Sequence, residues 1–144
     1  MIKFDTSEID KFVIDLKGTS EDIRSDIQKV LKNAGFNIEA RAKRNISNNG
    51  SVKTGHLRRG ITTDVGNMEV TVHTSNIKYA RGVEEGTRPH IIRAKNKKAL
   101  YWKGAKHPAK SVRHPGSKAK PFLIPAFEKE KEVIMKDLEK IVKW

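Results

Sequence analysis

Five histidines, one pair of adjacent glutamates and a dense run of cations are the residues of this 144-residue chain whose types could do chemistry. His56, His73, His90, His107 and His114 show no HxxxH or HxH spacing, and there is no cysteine. Neither a transition-metal set nor a thiolate nucleophile is therefore encoded in any recognisable spacing. Glu84 and Glu85 are adjacent, and neighbours on a helix point about 100° apart, a poor arrangement for a catalytic carboxylate pair. One of them is expected to neutralise Arg81 or Arg88. His107 and His114 each precede a proline in a stretch rich in Gly, Ser and Lys, and they read as solvated loop histidines. A ribonuclease built on one of those two histidines is the enzymatic alternative. The main reading is no enzyme and no cofactor.

The cations are more informative. Lys95, Lys97, Lys98, Lys103, Lys106, Lys110, Arg113, Lys118 and Lys120 form one run with Tyr101 and Trp102 inside it. Cations neutralise phosphates and aromatic rings stack on bases, so the run has the composition of a single-strand binder. Tyr101 and Trp102 are neighbours on an expected strand and would point to opposite faces, which places at least one in the core. No RNA-recognition, KH or helix-turn-helix signature accompanies them. Non-specific contact with DNA, or docking on an acidic protein, is the reading of this run; a basic nucleic-acid-binding module is the alternative for the whole chain. The placement of charge supports it. Residues 1–77 hold 12 Lys/Arg and 10 Asp/Glu, residues 78–120 hold 13 and 2, and residues 121–144 hold 5 and 5, so the middle block carries nearly all of the net +13. A field that concentrated calls for an anionic partner.

The elements that must position these residues follow from periodicity. The length suits one domain over 1–144. No signal peptide is visible, no run approaches the roughly 20 apolar residues of a membrane span, and the lack of cysteine fits folding in a reducing compartment. Ile2 and Phe4 alternate as a short strand, and Ile9, Phe12, Val13 and Leu16 form a short helix stopped by Gly18. Thr19 or Ser20 caps a long helix whose apolar stripe runs Ile23, Ile27, Val30, Leu31, Ala34, Ile38, Ala42, Ile46, with Gly35 inside it as a bend or a close contact. Ile61–Val65 and Met68–Val72 alternate around a Gly66-Asn67 turn, pairing Val65 with Met68, Thr63 with Val70 and Ile61 with Val72. Tyr79 to Glu85 reads as a short helix facing Tyr79, Ala80 and Val83 inward. Residues 90–94 and 99–103 read as two more strands, 104–120 as a flexible basic loop, and Pro125 starts a final helix with Phe127, Ile134, Leu138 and Ile141 as its stripe. The fold class is α+β: a small, mostly antiparallel sheet covered by a long N-terminal helix and a C-terminal helix.

Three stretches in order carry a family resemblance. TGHLRRGI (Thr54, Gly55, Leu57, Arg58 and on to Ile61) resembles the "TG-x-L-R-x-S-I" entry of the head–tail joining, or neck, proteins of long-tailed bacteriophages. YARGVEEGT (Tyr79, Ala80, Val83, Glu84, Gly86, Thr87) is similar to their "YA-x-x-V-E-x-GT" segment. HPGSKAKPFLIPAF (Pro121, Phe122, Pro125, Ala126) is similar to their "PG-x-x-x-x-PFL-x-PA" entry to a final helix. Gly60 departs from the family's usual Ser. The resemblance implies a structural virion protein made in the host cytoplasm, which self-associates into a ring between capsid and tail, contacts neighbouring connector and tail proteins, and uses no cofactor. In that setting the motif residues are architectural, and the basic run is the surface left for partners or DNA.

Overall fold

The computed structural model describes residues 20–142, apart from 52 and 97. The expected N-terminal strand and first short helix lie outside the described residues. In chain order the elements are α1 (Glu21–Asn48), a helical turn α2 (His56–Arg59), β1 (Thr62–Val65), β2 (Val70–His73), α3 (Ala80–Glu84), β3 (His90–Arg93), β4 (Ser111–His114) and α4 (Ile124–Val142). The α+β class is as expected. The strands, however, form two separate antiparallel pairs, β1-β2 and β3-β4, where one sheet was expected.

α1 begins where its cap directs. The Ser20 hydroxyl accepts from Ile23 N at 3.5 Å, and Glu21 and Asp22 sit in the first turn, where the helix dipole favours negative charge. Twenty-eight residues make a rod about 42 Å long. Its apolar stripe serves two clusters. Toward its C-terminal end, Ile38, Ala42 and Ile46 pack with Leu57, Ile61, Ala80, Phe122 and Leu123. Toward its N-terminal end, Ile27 and Ala34 meet Ile134 and Leu138 of α4, with Ile23, Met68 and Ile141 at the edge. α4 therefore lies along α1, and a part-buried ion pair joins them. Glu130, 2 % exposed, accepts from Arg41 Nε at 3.1 Å and from Asn37 Nδ2 at 2.7 Å.

Gly35 is a close contact. A Cβ there would sit 2.3 Å from Val70 Cγ1 and 2.8 Å from Thr63 Cγ2, so the first hairpin rests on α1 at this glycine. The Thr63 hydroxyl reinforces the contact, within bonding distance of both Gly35 O and Glu39 Oε2. The hairpin register differs from the expected one. Val65 pairs with Val70, Thr63 with Val72 and Thr62 with His73, and Gly66 N donates to Glu69 O, so the turn residues are Asn67 and Met68. The shift is two residues, which leaves each strand side chain on its expected face. Two tertiary contacts account for it. Met68 packs against the α1–α4 cluster with a left-handed backbone (φ 58°), and Gln28 Nε2 donates to Gly66 O.

The second motif joins the third through one carboxylate. Glu84 is 2 % exposed; its Oε2 accepts from Phe122 N and Leu123 N, and its Oε1 from Ile124 N, all at 2.9–3.0 Å. The expected neutralisation of an arginine falls to its neighbour, since Glu85 pairs with Arg81 at 2.8 Å. The first turn of a helix has N–H groups with no partner inside the helix, and here a buried acid from α3 satisfies those at the start of α4. Asn45 Nδ2 completes the junction by donating to Phe122 O at 2.9 Å. Tyr79, expected inside, is 51 % exposed, while Ala80 takes the core position. Gly60, where the family pattern has Ser, lies under Ile77: a Cβ there would sit 2.3 Å from Ile77 Cδ1.

Three outcomes are expected in urea or thermal unfolding. Gly35→Ala is destabilising, because overpacking costs ~1–3 kcal/mol and outweighs the ~1 kcal/mol gain in helix propensity; a raised midpoint would contradict the contact. Glu84→Ala costs roughly 3 kcal/mol by leaving buried N–H groups unbonded, and Glu84→Gln costs less because one oxygen still accepts. Glu39 sets a pH dependence. Burial pushes its pKa up, but hydrogen bonds from Lys43 and Thr63 and the Lys43 charge outweigh that, leaving it below the ordinary 4.5. Its folded pKa lies below its unfolded one, so its contribution is present above pH 4.5 and is lost as pH falls below it. Glu39→Gln should flatten the acid limb of a stability–pH curve; an unchanged limb counts against this role.

Candidate functional site

The basic run occupies a two-stranded arm with no Asp or Glu from residue 87 to residue 120 and eleven Lys/Arg. Its ladder pairs His90 with His114, Ile91 with Arg113, Ile92 with Val112 and Arg93 with Ser111. At its base Thr87 and Ser117 exchange backbone hydrogen bonds at 2.9 and 3.0 Å. The close approach there requires glycine twice. Gly86 and Gly116 have φ of 76° and 88°, and a Cβ on Gly116 would lie 2.2 Å from Thr87 O. Further out, Leu100 and Ala109 form an isolated bridge. So the stretch expected as a flexible loop over 104–120 contains β4, and the expected strand at 99–103 is reduced to one bridging residue. β4 itself, SVRH, has a single apolar side chain, Val112, so it has no hydrophobic alternation; backbone pairing with β3 makes it a strand.

The arm is wet on both faces. All four residues of β3 are exposed, with Ile91 at 59 % and Ile92 at 38 %. Tyr101 and Trp102, one of which was expected in the core, are both exposed. Among the described residues β3 and β4 pack chiefly on each other, with no apolar layer of the framework beneath them. Large apolar side chains are thus left in water among cations. Their exposure was not legible in the sequence, because a run such as His90–Arg93 reads the same whether a layer covers it or not.

Of the nine cations expected to meet a partner, Lys95, Lys98, Lys103, Lys106, Lys110 and Arg113 lie exposed along the arm, and Lys97 lies outside the described residues. Lys118 and Lys120 are set apart from these. The chain leaving the arm crosses α3, with Lys120 N donating to Val83 O at 2.8 Å, and both lysines border a cleft of about 510 Å³. Lys53 and Arg58 line the same cleft, as do Tyr79 and His56, whose Tyr79 Oη and His56 Nδ1 are 3.3 Å apart. All three motifs thus meet at one place: Leu57 and Ile61 from the first, Ala80 and Glu84 from the second, Phe122 and Ala126 from the third. Sequence order could not show this convergence.

The histidines do not assemble. His114 is half-buried, stacked on His90 with ring centroids 5.1 Å apart, and its Nδ1 accepts from Gly116 N; His107 is exposed. His73 contacts Asp64 at 2.8 Å on the first hairpin. Among the described residues no group of three or more His, Asp or Glu side chains is placed to hold a metal ion. No helix among them is long and apolar enough to cross a membrane. The arrangement can bind anions and apolar surface, through a cationic arm and a cationic cleft on a framework of buried carboxylates.

No curated protein and no solved structure matches the chain. A family model does, over residues 10–86: that of bacteriophage HK97-gp10, described as a tail component. The match spans α1, the first hairpin and α3, and it ends at the glycine where the arm begins. The chain belongs to the HK97-gp10-like family of bacteriophage tail components, structural proteins of the virion.

Proposed function

We propose that the chain completes or joins the tail by assembling as a ring in the connector region between capsid and tail, with the β3-β4 arm as the surface that engages the adjoining component. The observation that carries this reading is the arm itself. Between Thr87 and Ser117 it holds nine cations and no acid, and it leaves Ile91, Ile92, Tyr101 and Trp102 in water. A two-stranded ribbon is marginal alone and gains stability when a partner covers it. Clustered cations raise the rate of encounter with an anionic surface, and the apolar side chains then supply contact area. An acidic protein rim fits both features. DNA in the channel would be met through the lysines alone, without sequence readout.

The arm can be shortened without touching the junction. Removing all of 104–120 would also remove β4 and the bonds of Ser117 and Lys120 to Thr87 and Val83. Replacing residues 94–110 with Asn-Gly instead joins Arg93 to Ser111, which are already paired, by a favoured two-residue turn. The shortened protein is expected to unfold close to the wild-type midpoint. It should fail to restore infectious particles to a phage lacking this gene, with heads and tails accumulating separately. Full restoration of titre would overturn the arm's role.

A further inference from the structure

We infer that copies of this chain meet head to tail, the tip of the β1-β2 hairpin of one copy seated in the basic cleft of the next. As a contact between copies it rests on the assembly reading above, and it names the two surfaces that meet.

The cleft has a cationic rim and an apolar floor. Lys53, Arg58, Lys118 and Lys120 border it, no Asp or Glu lines it, and Ile46, Leu57 and Val83 form its base. Among the described residues none of the four cations is in an ion pair. Ser51, also in the lining, has a buried hydroxyl with no hydrogen-bond partner. The volume, about 510 Å³, falls in the range of ~300–1,000 Å³ typical of ligand clefts. The floor is already covered, with Ile46 0 % and Leu57 4 % exposed, so the unpaired cations of the rim are what an occupant must satisfy. A narrow projection carrying two carboxylates on one face meets such a rim.

The hairpin tip has that composition. Asp64 at the end of β1 and Glu69 across the turn are both exposed and share the face of the hairpin opposite Val65. One Asp64 oxygen already faces His73, and Glu69 Oε1 accepts from the Thr71 hydroxyl, which leaves each carboxylate an oxygen toward solvent. The turn is narrow, with only Asn67 and Met68 between the paired Gly66 and Glu69. Gln28 ties this tip to the N-terminal part of α1, whereas the cleft begins at Ile46 and Gly50 at its other end. Eighteen helical residues separate them, about 27 Å. A chain cannot fold its own tip back that far. The contact is therefore between copies, and because the two surfaces differ it is heterologous, closing into a ring when the rotation per subunit allows.

Charge reversal tests this directly. One variant carries Asp64→Lys and Glu69→Lys; the other carries Lys118→Glu and Lys120→Glu. All four side chains are exposed, and circular dichroism with thermal unfolding checks each fold. In sedimentation velocity at low salt, wild type is expected to associate in a concentration-dependent way, and each variant alone to sediment as a monomer. An equimolar mixture of the two should associate again, because every tip then finds a cleft of opposite charge. A mixture that stays monomeric while wild type assembles would overturn the contact. So would variants that each assemble like wild type, although self-assembly through another surface would then stand. A wild-type chain that is monomeric at every concentration also overturns it. Should either pair unfold the protein, Glu69→Gln and Lys118→Gln are read for weakened association in the same way, and unchanged association counts against the contact.

Discussion

A buried carboxylate at the start of the last helix is the constraint on which the rest depends. The N–H groups of Phe122, Leu123 and Ile124 sit at the beginning of α4, away from water and without partners inside the helix. Glu84 accepts from all three. Its charge suits the positive end of the helix dipole, and its full burial is tolerable because it is so completely bonded. This one residue ties the short helix α3 to the return of the chain, and so fixes where α4 enters and along which face it lies on α1. A second buried acid, Glu130, then holds α4 to Arg41 and Asn37 of α1 two turns further along.

With α1 and α4 fixed, the two hairpins have opposite fates. The first is pressed onto α1, where Gly35 removes a side chain so that Thr63 and Val70 can approach. Its turn is displaced from the simplest choice because burying Met68 among the helices outweighs the cost of a left-handed backbone at that residue. The second hairpin is tied only at its base, by Thr87 and Ser117, at a place where Gly86 and Gly116 let two backbones pass. Beyond that base, among the described residues, β3 and β4 pack chiefly on each other. The family match ends at the same glycine.

The distribution of charge follows this division. Among the described residues the acidic side chains lie on the helices, beside them and on the first hairpin, and the arm and cleft hold cations without acids. Buried, hydrogen-bonded carboxylates and cations without acids beside them thus lie on different parts of the chain.

What the residues alone determined were the elements with strong local signals: α1 with its Ser20 cap and 3.6-residue stripe, the alternation of β1 and β2, Pro125 in the first turn of α4, and the concentration of charge before residue 120. The three motifs pointed to the family for the same reason, each being a local pattern of turns, caps and apolar positions. Only the tertiary structure decided that Glu84 is a helix cap and that Gly35 is a contact, because both depend on atoms more than 25 residues away. It also made 111–114 a strand through backbone hydrogen bonds that side-chain patterns do not encode. And it left Ile91, Ile92, Tyr101 and Trp102 in water, since a sequence records which residues are apolar but not whether a second layer exists to cover them.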